Sequence, residues 1–515
     1  MKDWPPLLRL LSEELGYTVR PAKTALGYQL FAVDLAAWKL RLNDRTPIIW
    51  VRAADLEGTT PQHLIQSLAD VMRERNLGRQ IVLVLLDGDP GPLYRYVASP
   101  MYNLVVIGAE DQARVLDSRR PSGELLDLIA AQVPISTLAP YETRAPVTGS
   151  RFFGREYEIS RIVGSPDTNH AILGIRRIGK TSLLREVERL LREAHDPAQI
   201  VYLECSDLLS TDDYVREVVR KLNPRELPRV HLQKYIFFFP DFLERMARAA
   251  KGKIIFLLDE IDNLVIMQRG TWELFRMLRA SANKGACQYI MAGYREAMRE
   301  QYLLDSPFYN FAQEVRLNEF TRRQAQDLIL TPMENLRVRI RNKEEVVSRI
   351  YDETAGQPNL IQYYCTILLR QLDTAASTLA GAGAGGAPTL GGKREIGPES
   401  LIDVYADEGF KSHLLTSFMQ NTENREKALV YAVLIASDEP RTRGFSLPFL
   451  DAALRKRGIV LPQDEIDEAC SVLTLAGILQ RKGREYFFTS PVFTRVLHQS
   501  YDLDYLFRKV KEEGL

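Results

Sequence analysis

The chain is poor in the residues that build disulfide or metal frameworks. Its four cysteines, Cys205, Cys287, Cys365 and Cys470, stand far apart and mostly inside apolar runs. They read as buried thiols of a reducing compartment, not as a disulfide scaffold. Six histidines are equally scattered, so no metal cluster is expected. Net charge is absent as well: 67 Lys and Arg balance 67 Asp and Glu. No global field therefore advertises nucleic acid or an anionic membrane, and any such contact must be local. No apolar run approaches the roughly 20 residues that span a bilayer. The opening Met1-Lys2-Asp3-Trp4-Pro5-Pro6 lacks a secretory apolar core. A cytoplasmic protein with no membrane partner is expected. No internal repeat of roughly 20 to 50 residues appears, which excludes a solenoid or propeller sensor within the chain.

What is present is an ordinary globular composition, 45% hydrophobic and 26% charged over 515 residues. Such a chain buries large cores and holds about three or four domains. Residues 174 to 181, Gly-Ile-Arg-Arg-Ile-Gly-Lys-Thr, fit the phosphate-binding pattern G-x-x-x-x-G-K-[ST] at every fixed position. The apolar Ala171-Ile172-Leu173 before them reads as a buried strand, and the run from Ser182 to Leu191 has helical periodicity. Gly174 and Gly179 let the backbone curl so that N–H groups point inward, and the helix N-terminus adds its partial positive charge. With Arg177, Ile178 and Ser182 these residues form a polyphosphate cradle. Lys180 is the point charge for the β- and γ-phosphates of ATP, and Thr181 is a ligand for Mg²⁺.

A second apolar strand, Lys253-Ile254-Ile255-Phe256-Leu257-Leu258, ends in Asp259 and Glu260. A buried parallel strand delivers its C-terminal residues to the crevice where open α/β sheets bind ligands. Asp259 is placed to hold Mg²⁺, and Glu260 to polarise an attacking water. A strand followed by a solvated acidic turn is the simpler reading of such a run taken alone.

Phe152-Phe153-Gly154-Arg155-Glu156-Tyr157-Glu158-Ile159 resembles the F-x-G-R-E-x-E-L box that opens many AAA+ ATPases and their STAND relatives, the signal-transduction ATPases with numerous domains. The phosphate loop, with its paired arginines, is similar to that of a prokaryotic STAND-like branch. The resemblance covers about residues 151 to 505. It implies that Gly154, Arg155 and Glu156 lie beside the adenine and that Arg295, closing the strand Gln288-Tyr289-Ile290-Met291-Ala292-Gly293-Tyr294, senses the γ-phosphate. A surface arginine after a strand is the plainer alternative. Gly356-Gln357-Pro358 matches the STAND G-x-P motif, whose proline contacts the base, although a helix stop at Gly356 and a new helix at Pro358 account for it equally. No local pattern selects Arg299 or Arg316 as a finger for a neighbouring subunit.

Residues 425 to 437, 446 to 457 and 464 to 477 have helical patterns, and 478 to 488 read as a hairpin around Gly483. Three helices and a wing resemble a winged helix-turn-helix. Its recognition helix would begin Asp464-Glu465-Ile466-Asp467-Glu468, and four carboxylates are repelled by phosphate. Only the wing, with Arg481, Lys482 and Arg484, is basic, so DNA is not supported as a partner and a protein partner or self-association is. Near the start, 47 to 51, 81 to 86 and 104 to 107 are apolar runs separated by helical stretches, which implies a small parallel-sheet α/β module. Asp34 and the strand at 47 to 52 faintly resemble a restriction-endonuclease layout. The positions for its acid and lysine read Trp50 and Arg52, so an inactive docking module is expected.

The expected fold is α/β: an N-terminal module (1–133), a linker (134–150), a P-loop parallel-sheet ATPase core (151–319), a helical lid (320–374), a flexible Gly/Ala-rich linker (375–397) and a winged helix-turn-helix domain (398–515). The expected activity is a slow Mg-dependent ATPase acting as a STAND-like switch. The alternative is an ATP-dependent DNA initiator or loader resembling archaeal origin-recognition ATPases.

Overall fold

The computed structural model describes residues 4–514 apart from 43–44, 79, 92, 94–102, 195–198, 228–234, 303–305, 307, 381–393 and 438–443. The chain forms two units. One draws on residues 1–141, 328–346 and 362–404, the other on 142–327, 347–361 and 405–515.

In the first unit, five strands, β1 (Val19–Ala25), β2 (Tyr28–Val33), β3 (Thr46–Val51), β4 (Val82–Leu86) and β5 (Leu104–Ile107), lie in sequence order in one sheet. The β3–β4 and β4–β5 pairs are parallel, but β1–β2 and β2–β3 are antiparallel, so the sheet is mixed where the sequence predicts a parallel one. The reason is β1, whose Arg20, Pro21 and Lys23 are exposed and give no apolar run to read. Polar residues and a proline are usual on an unpaired edge. Trp50 donates its indole N–H to Asp87 at 3.0 Å, and Arg52 pairs with Asp55 at 2.9 Å. Asp34 accepts the N–H of Ala36 in a local turn. These side chains are thus engaged with one another's surroundings and form no acid–lysine set.

The second unit holds an all-parallel sheet in the order β10-β6-β9-β8-β7, with β6 His170–Leu173, β7 Ile200–Glu204, β8 Ile254–Asp259, β9 Cys287–Gly293 and β10 Gln313–Arg316. Alternation along β8 assigns its side chains to opposite faces. Phe256 and Leu258 meet Tyr214, Phe239, Phe242 and Phe275 on one side, while Ile255 and Leu257 meet Leu183, Leu184 and Val187 on the other. Helices on both faces leave the carboxyl ends of the strands as the open crevice, and β6, β9 and β8 end there side by side.

Within the same unit, helices span Glu408–Asn421, Asn424–Ala436, Leu447–Arg455 and Gln463–Leu475, and an antiparallel hairpin joins Leu479–Lys482 to Glu485–Phe488. The stretch 320–374 is divided between the two units. The expected linker at 375–397 is in part regular structure: the helix Pro358–Ala380 continues through it, and Glu395–Ile396 pairs with Arg339–Ile340 as a short parallel ladder. Residues Ala375, Ala376, Leu379 and Ala380 are good helix formers, which is why low complexity there does not end the helix. The rest of that expected linker, 381–393, lies outside the described residues. No helix among the described residues is long and apolar enough to cross a membrane.

Candidate functional site

The phosphate loop leaves β6, which lies between β10 and β9. A Cβ on Gly174 would lie 2.9 Å from the Leu317 carbonyl oxygen, so only glycine permits that approach, and Gly179 has φ +107, which glycine adopts without strain. Arg177 also turns through the left-handed region, with φ +65. The helix Lys180–Ala194 starts at once and has no acidic residue in its first turn to neutralise its N-terminus. Lys180 is buried, and its Nζ donates to the carbonyls of Gly174 at 2.9 Å and Ile175 at 3.0 Å. Burial lowers its pKa, while Glu260, Asp262 and Asp259 act in the opposite direction. The lysine therefore faces a set of carboxylates across the mouth of the loop. Ser182 accepts the Val147 N–H, and Thr181 is half-buried in the helix's first turn.

The G-R-E box is joined to this loop through one cation. Arg155, buried, donates to the carbonyls of Ile178 (3.4 Å) and Asn318 (2.6 Å), pairs with Glu158, and lies 4.7 Å from the Phe320 ring centroid. Burial lowers its pKa. Glu156 accepts the N–H of Gly154 at 3.2 Å, and Gln324 donates to the Gly154 carbonyl. Gly356, with φ +69, accepts the Phe320 N–H, and Pro358 is buried at the start of its helix. Among the described residues no hydrogen bond ties Pro358 to the loop, but its neighbour Asn359 is linked to Arg177 through His413.

Asp259 is fully buried at the end of β8. Its carboxylate accepts the Tyr202 hydroxyl at 2.7 Å and the Glu260 N–H at 3.0 Å. Glu260 has φ +51, a strained conformation for a residue with a side chain. Mg²⁺ prefers oxygen ligands, keeps several waters and commonly relies on one or two carboxylates plus phosphate. The hydroxyl of Thr181 and the carboxylate of Asp259 fit that requirement. Among the described residues no group of three His, Cys, Asp or Glu side chains is placed to hold a metal alone.

Glu260 lines a cavity of about 420 Å³ together with Arg176, Glu204, Asp262, Tyr294 and Arg295, and with Gln420, Asn421, Thr422 and Glu423. Asp262 caps the helix Arg295–Tyr302, accepting the N–H groups of Glu296 and Ala297, and also accepts that of Tyr294. Arg295 does not stand free in this space. It bonds Glu423 at 2.6 Å, Glu426 at 3.2 Å and the Asn421 carbonyl at 3.1 Å. Burial lowers the Arg295 pKa but the facing Glu426, with Tyr294 and Glu423, outweighs it and raises it. Asn421 also accepts the backbone N–H of Arg176 at 3.0 Å.

A second set of bonds reaches the other arginine of the loop. Arg177 meets His413 Nδ1 at 3.3 Å, and His413 Nε2 meets Asn359 Oδ1. Arginine only donates, so Nδ1 accepts and Nε2 carries the proton. Burial, with Arg177 and Arg144 adding to it, lowers the His413 pKa to about 4, in keeping with a neutral ring. Asn359 in turn donates to the Thr143 carbonyl at 3.1 Å.

The structure thus gathers Gly174, Arg177, Ile178, Gly179, Lys180, Thr181, Asp259, Glu260 and Arg295 at one end of the sheet and connects Arg155 to them. Sequence reasoning missed Glu204, Asp262, His413, Asn421, Glu423 and Glu426. Glu204 was legible only through β7, a short strand not singled out, where it pairs in register with Asp259. Asp262 stands three residues after Asp259 and was within reach of the same acidic run, whereas His413, Asn421, Glu423 and Glu426 lie far along the chain, beyond any local pattern.

Residues 165–300 match a family model described as an AAA domain. No curated protein sequence matches the chain. Among solved structures, a Walker-type ATPase of Pyrococcus abyssi is similar at 16% identity, over 70% of this chain and 99% of that one, with a TM-score of 0.50. The ORC2 protein of Aeropyrum pernix, solved with ADPNP and ADP, is similar at 12% identity, over 70% and 95%, with a TM-score of 0.46. The ORC1 protein of the same organism, solved with DNA, follows at 15% identity, over 69% and 94%, with a TM-score of 0.38. Sheet order and phosphate loop agree with that family match over residues 165–300, and the fold is α/β with a parallel sheet and a P-loop.

Proposed function

We propose that the chain is an ATP-binding and ATP-hydrolysing switch of the STAND or AAA+ kind, whose nucleotide state sets the arrangement of its own C-terminal segment, its self-association or its binding of a protein partner. One observation carries the reading: Arg295, at the phosphate end of β9, is held by Asn421, Glu423 and Glu426, at the junction of the helices Glu408–Asn421 and Asn424–Ala436. A γ-phosphate is the ligand that competes for such an arginine. When it takes Arg295, two carboxylates lose their partner and the segment is repelled from the new negative charge.

The residues divide the chemistry in a way elementary electrostatics supports. Lys180 and the N–H groups of the loop bind the phosphates. Thr181 and Asp259 would hold Mg²⁺, which supplies charge neutralisation on the transferring group. Glu260 orients a water and takes its proton, and Tyr202 fixes the Asp259 carboxylate. Arg155, with Gly154, Glu156 and Pro358, belongs to the base side.

The DNA-loader reading has less support. Arg425 pairs with Glu465 and Glu468, so the acidic face of the helix Gln463–Leu475, the recognition helix of a winged-helix reading, is turned to an internal cation. We assign the N-terminal module to docking, because Trp50 and Arg52 stand where a nuclease needs an acid and a lysine. Light scattering of Glu260→Gln with Mg-ATP and with ADP tests the switch. A nucleotide-dependent mass, or a nucleotide-dependent protease pattern at constant mass, is expected. Identical mass and identical cleavage in both nucleotides remove the switch.

A further inference from the structure

The two adjacent arginines of the phosphate loop have different surroundings. Arg177 is turned by its positive φ and is bound to His413. Arg176 lines the cavity that holds Glu260, Asp262, Tyr294 and Arg295. It is exposed, and among the described residues no hydrogen bond or ion pair holds its guanidinium. Its charge is felt by Lys180 and by Tyr294, whose protonated forms it disfavours, which places the guanidinium toward the same space as the lysine. The other cation of the cavity, Arg295, is engaged by two carboxylates.

We propose that Arg176 is the arginine that neutralises the γ-phosphoryl group during transfer, supplied by the same chain and not by a neighbouring subunit. The assignment rests on the ATPase reading above and adds to it the source of the transition-state cation. In the step concerned, a water oxygen bonds to the γ-phosphorus and the bond to the β–γ bridging oxygen breaks. Its electron pair leaves with ADP, and the water's proton passes by way of Glu260 to the released phosphate. Negative charge spreads over the equatorial oxygens as this happens. Besides Arg295 the cavity offers Glu204, Glu260, Asp262, Glu296 and Glu423, so carboxylates outnumber its cations and a second arginine on the phosphate side offsets them. Asn421 grips the Arg176 backbone, so the reach of this arginine follows the position of the C-terminal segment.

The test uses the full chain as wild type, Arg176→Ala, Arg176→Lys, Arg177→Ala and Lys180→Ala. Turnover of Mg-ATP and trapping of ADP with fluoroaluminate are measured; fluorescent ADP binding confirms that the Arg176 and Arg177 variants are folded, and an unshifted thermal midpoint confirms it for Lys180→Ala. Arg176→Ala should keep ADP binding, lose kcat on the order of 10³-fold with a smaller change in KM, and fail to trap fluoroaluminate. Arg176→Lys should recover only part of the trapping. Mixing Arg176→Ala with Lys180→Ala should restore nothing. Restored turnover in the mixture assigns the arginine to a neighbour and overturns the proposal, as does loss of trapping confined to Arg177→Ala. Normal turnover and trapping by Arg176→Ala beside an active wild type overturns it while leaving the ATPase reading intact. A wild type that neither hydrolyses ATP nor traps ADP overturns both.

Discussion

Asn421→Ala is the sharpest perturbation of the latch. The side chain is buried, accepts the Arg176 N–H at 3.0 Å and donates to the Ser417 carbonyl at 2.7 Å, while its own carbonyl holds Arg295 and is met by Tyr294 at 3.5 Å. Removing the amide leaves a loop N–H without its acceptor and loosens the turn that presents the carbonyl. An unpaired donor of this kind costs about 1–3 kcal/mol, so the latched arrangement should weaken by about 2 kcal/mol, or roughly 30-fold in its equilibrium. If ATP binds the released arrangement, its apparent dissociation constant is the intrinsic value divided by the fraction released. ATP should therefore bind up to about 30-fold more tightly to Asn421→Ala, while ADP, which has no group to contend for Arg295, should change little. Titration with fluorescent ATP and ADP analogues reads both constants on one sample. Equal shifts for the two nucleotides, or none for either, refute the competition.

Four further outcomes follow from the same geometry. Lys180→Ala should abolish nucleotide binding in an equilibrium titration, because its buried ammonium, held at the Gly174 and Ile175 carbonyls, is the charge the loop offers to the phosphates. Glu260→Gln should bind ATP with near-normal affinity and hydrolyse it on the order of 10²-fold or more slowly; unchanged turnover would remove Glu260 from the base role. Glu426→Gln should loosen the hold on Arg295 and raise the ATP preference in the same direction as Asn421→Ala, read by the same titration. Burial holds His413 and His170 neutral, with pKa values near 4 against the usual value near 6.5. The unfolded chain then takes up the protons first as pH falls, so stability from both rings is complete above about pH 6.5 and is lost toward pH 4. Thermal midpoints should drop from pH 7 to pH 5, and His413→Gln should flatten that slope.

Legibility in the sequence followed the strength of local pattern. The phosphate loop, β8 with its two carboxylates, and β9 each combine a long apolar run with a functional terminus, so both element and role could be read. The strand β10 is Gln-Glu-Val-Arg, a single apolar residue on the edge of the sheet, and nothing in its spacing separates it from a loop. The hairpin β1–β2 was lost for the same reason, and with it the mixed character of the first sheet. The Ala-rich residues before Ala380 misled in the other direction, since low complexity obscured good helix propensity. In the site, residues on one loop or strand end were found and those contributed by distant helices were not. His413 and Asn421 sit in the helix Glu408–Asn421, whose apolar residues mark no clear face, and only the fold shows what that helix packs against.

That helix, Glu408–Asn421, is the strongest physical ground for coupling. His413 and Asn421 are eight residues apart, so they lie on one face about 12 Å apart along the axis. One end touches Arg177 and, through Asn359, the start of the helix Pro358–Ala380; the other touches Arg176 and Arg295. A helix is stiff over two turns, and the Ser417 carbonyl, midway, accepts a hydrogen bond from the Asn421 side-chain amide. Contacts at the two ends should therefore be made and broken together. A double-mutant cycle of His413→Ala and Asn421→Ala, scored on the ratio of ATP to ADP affinity, measures this. If the helix docks as one body, the second substitution changes little once the first has released it, and the interaction energy is of the order of 1–2 kcal/mol. If the two effects add within about 0.5 kcal/mol, the ends act separately, and the nucleotide signal must pass through Asn421 alone.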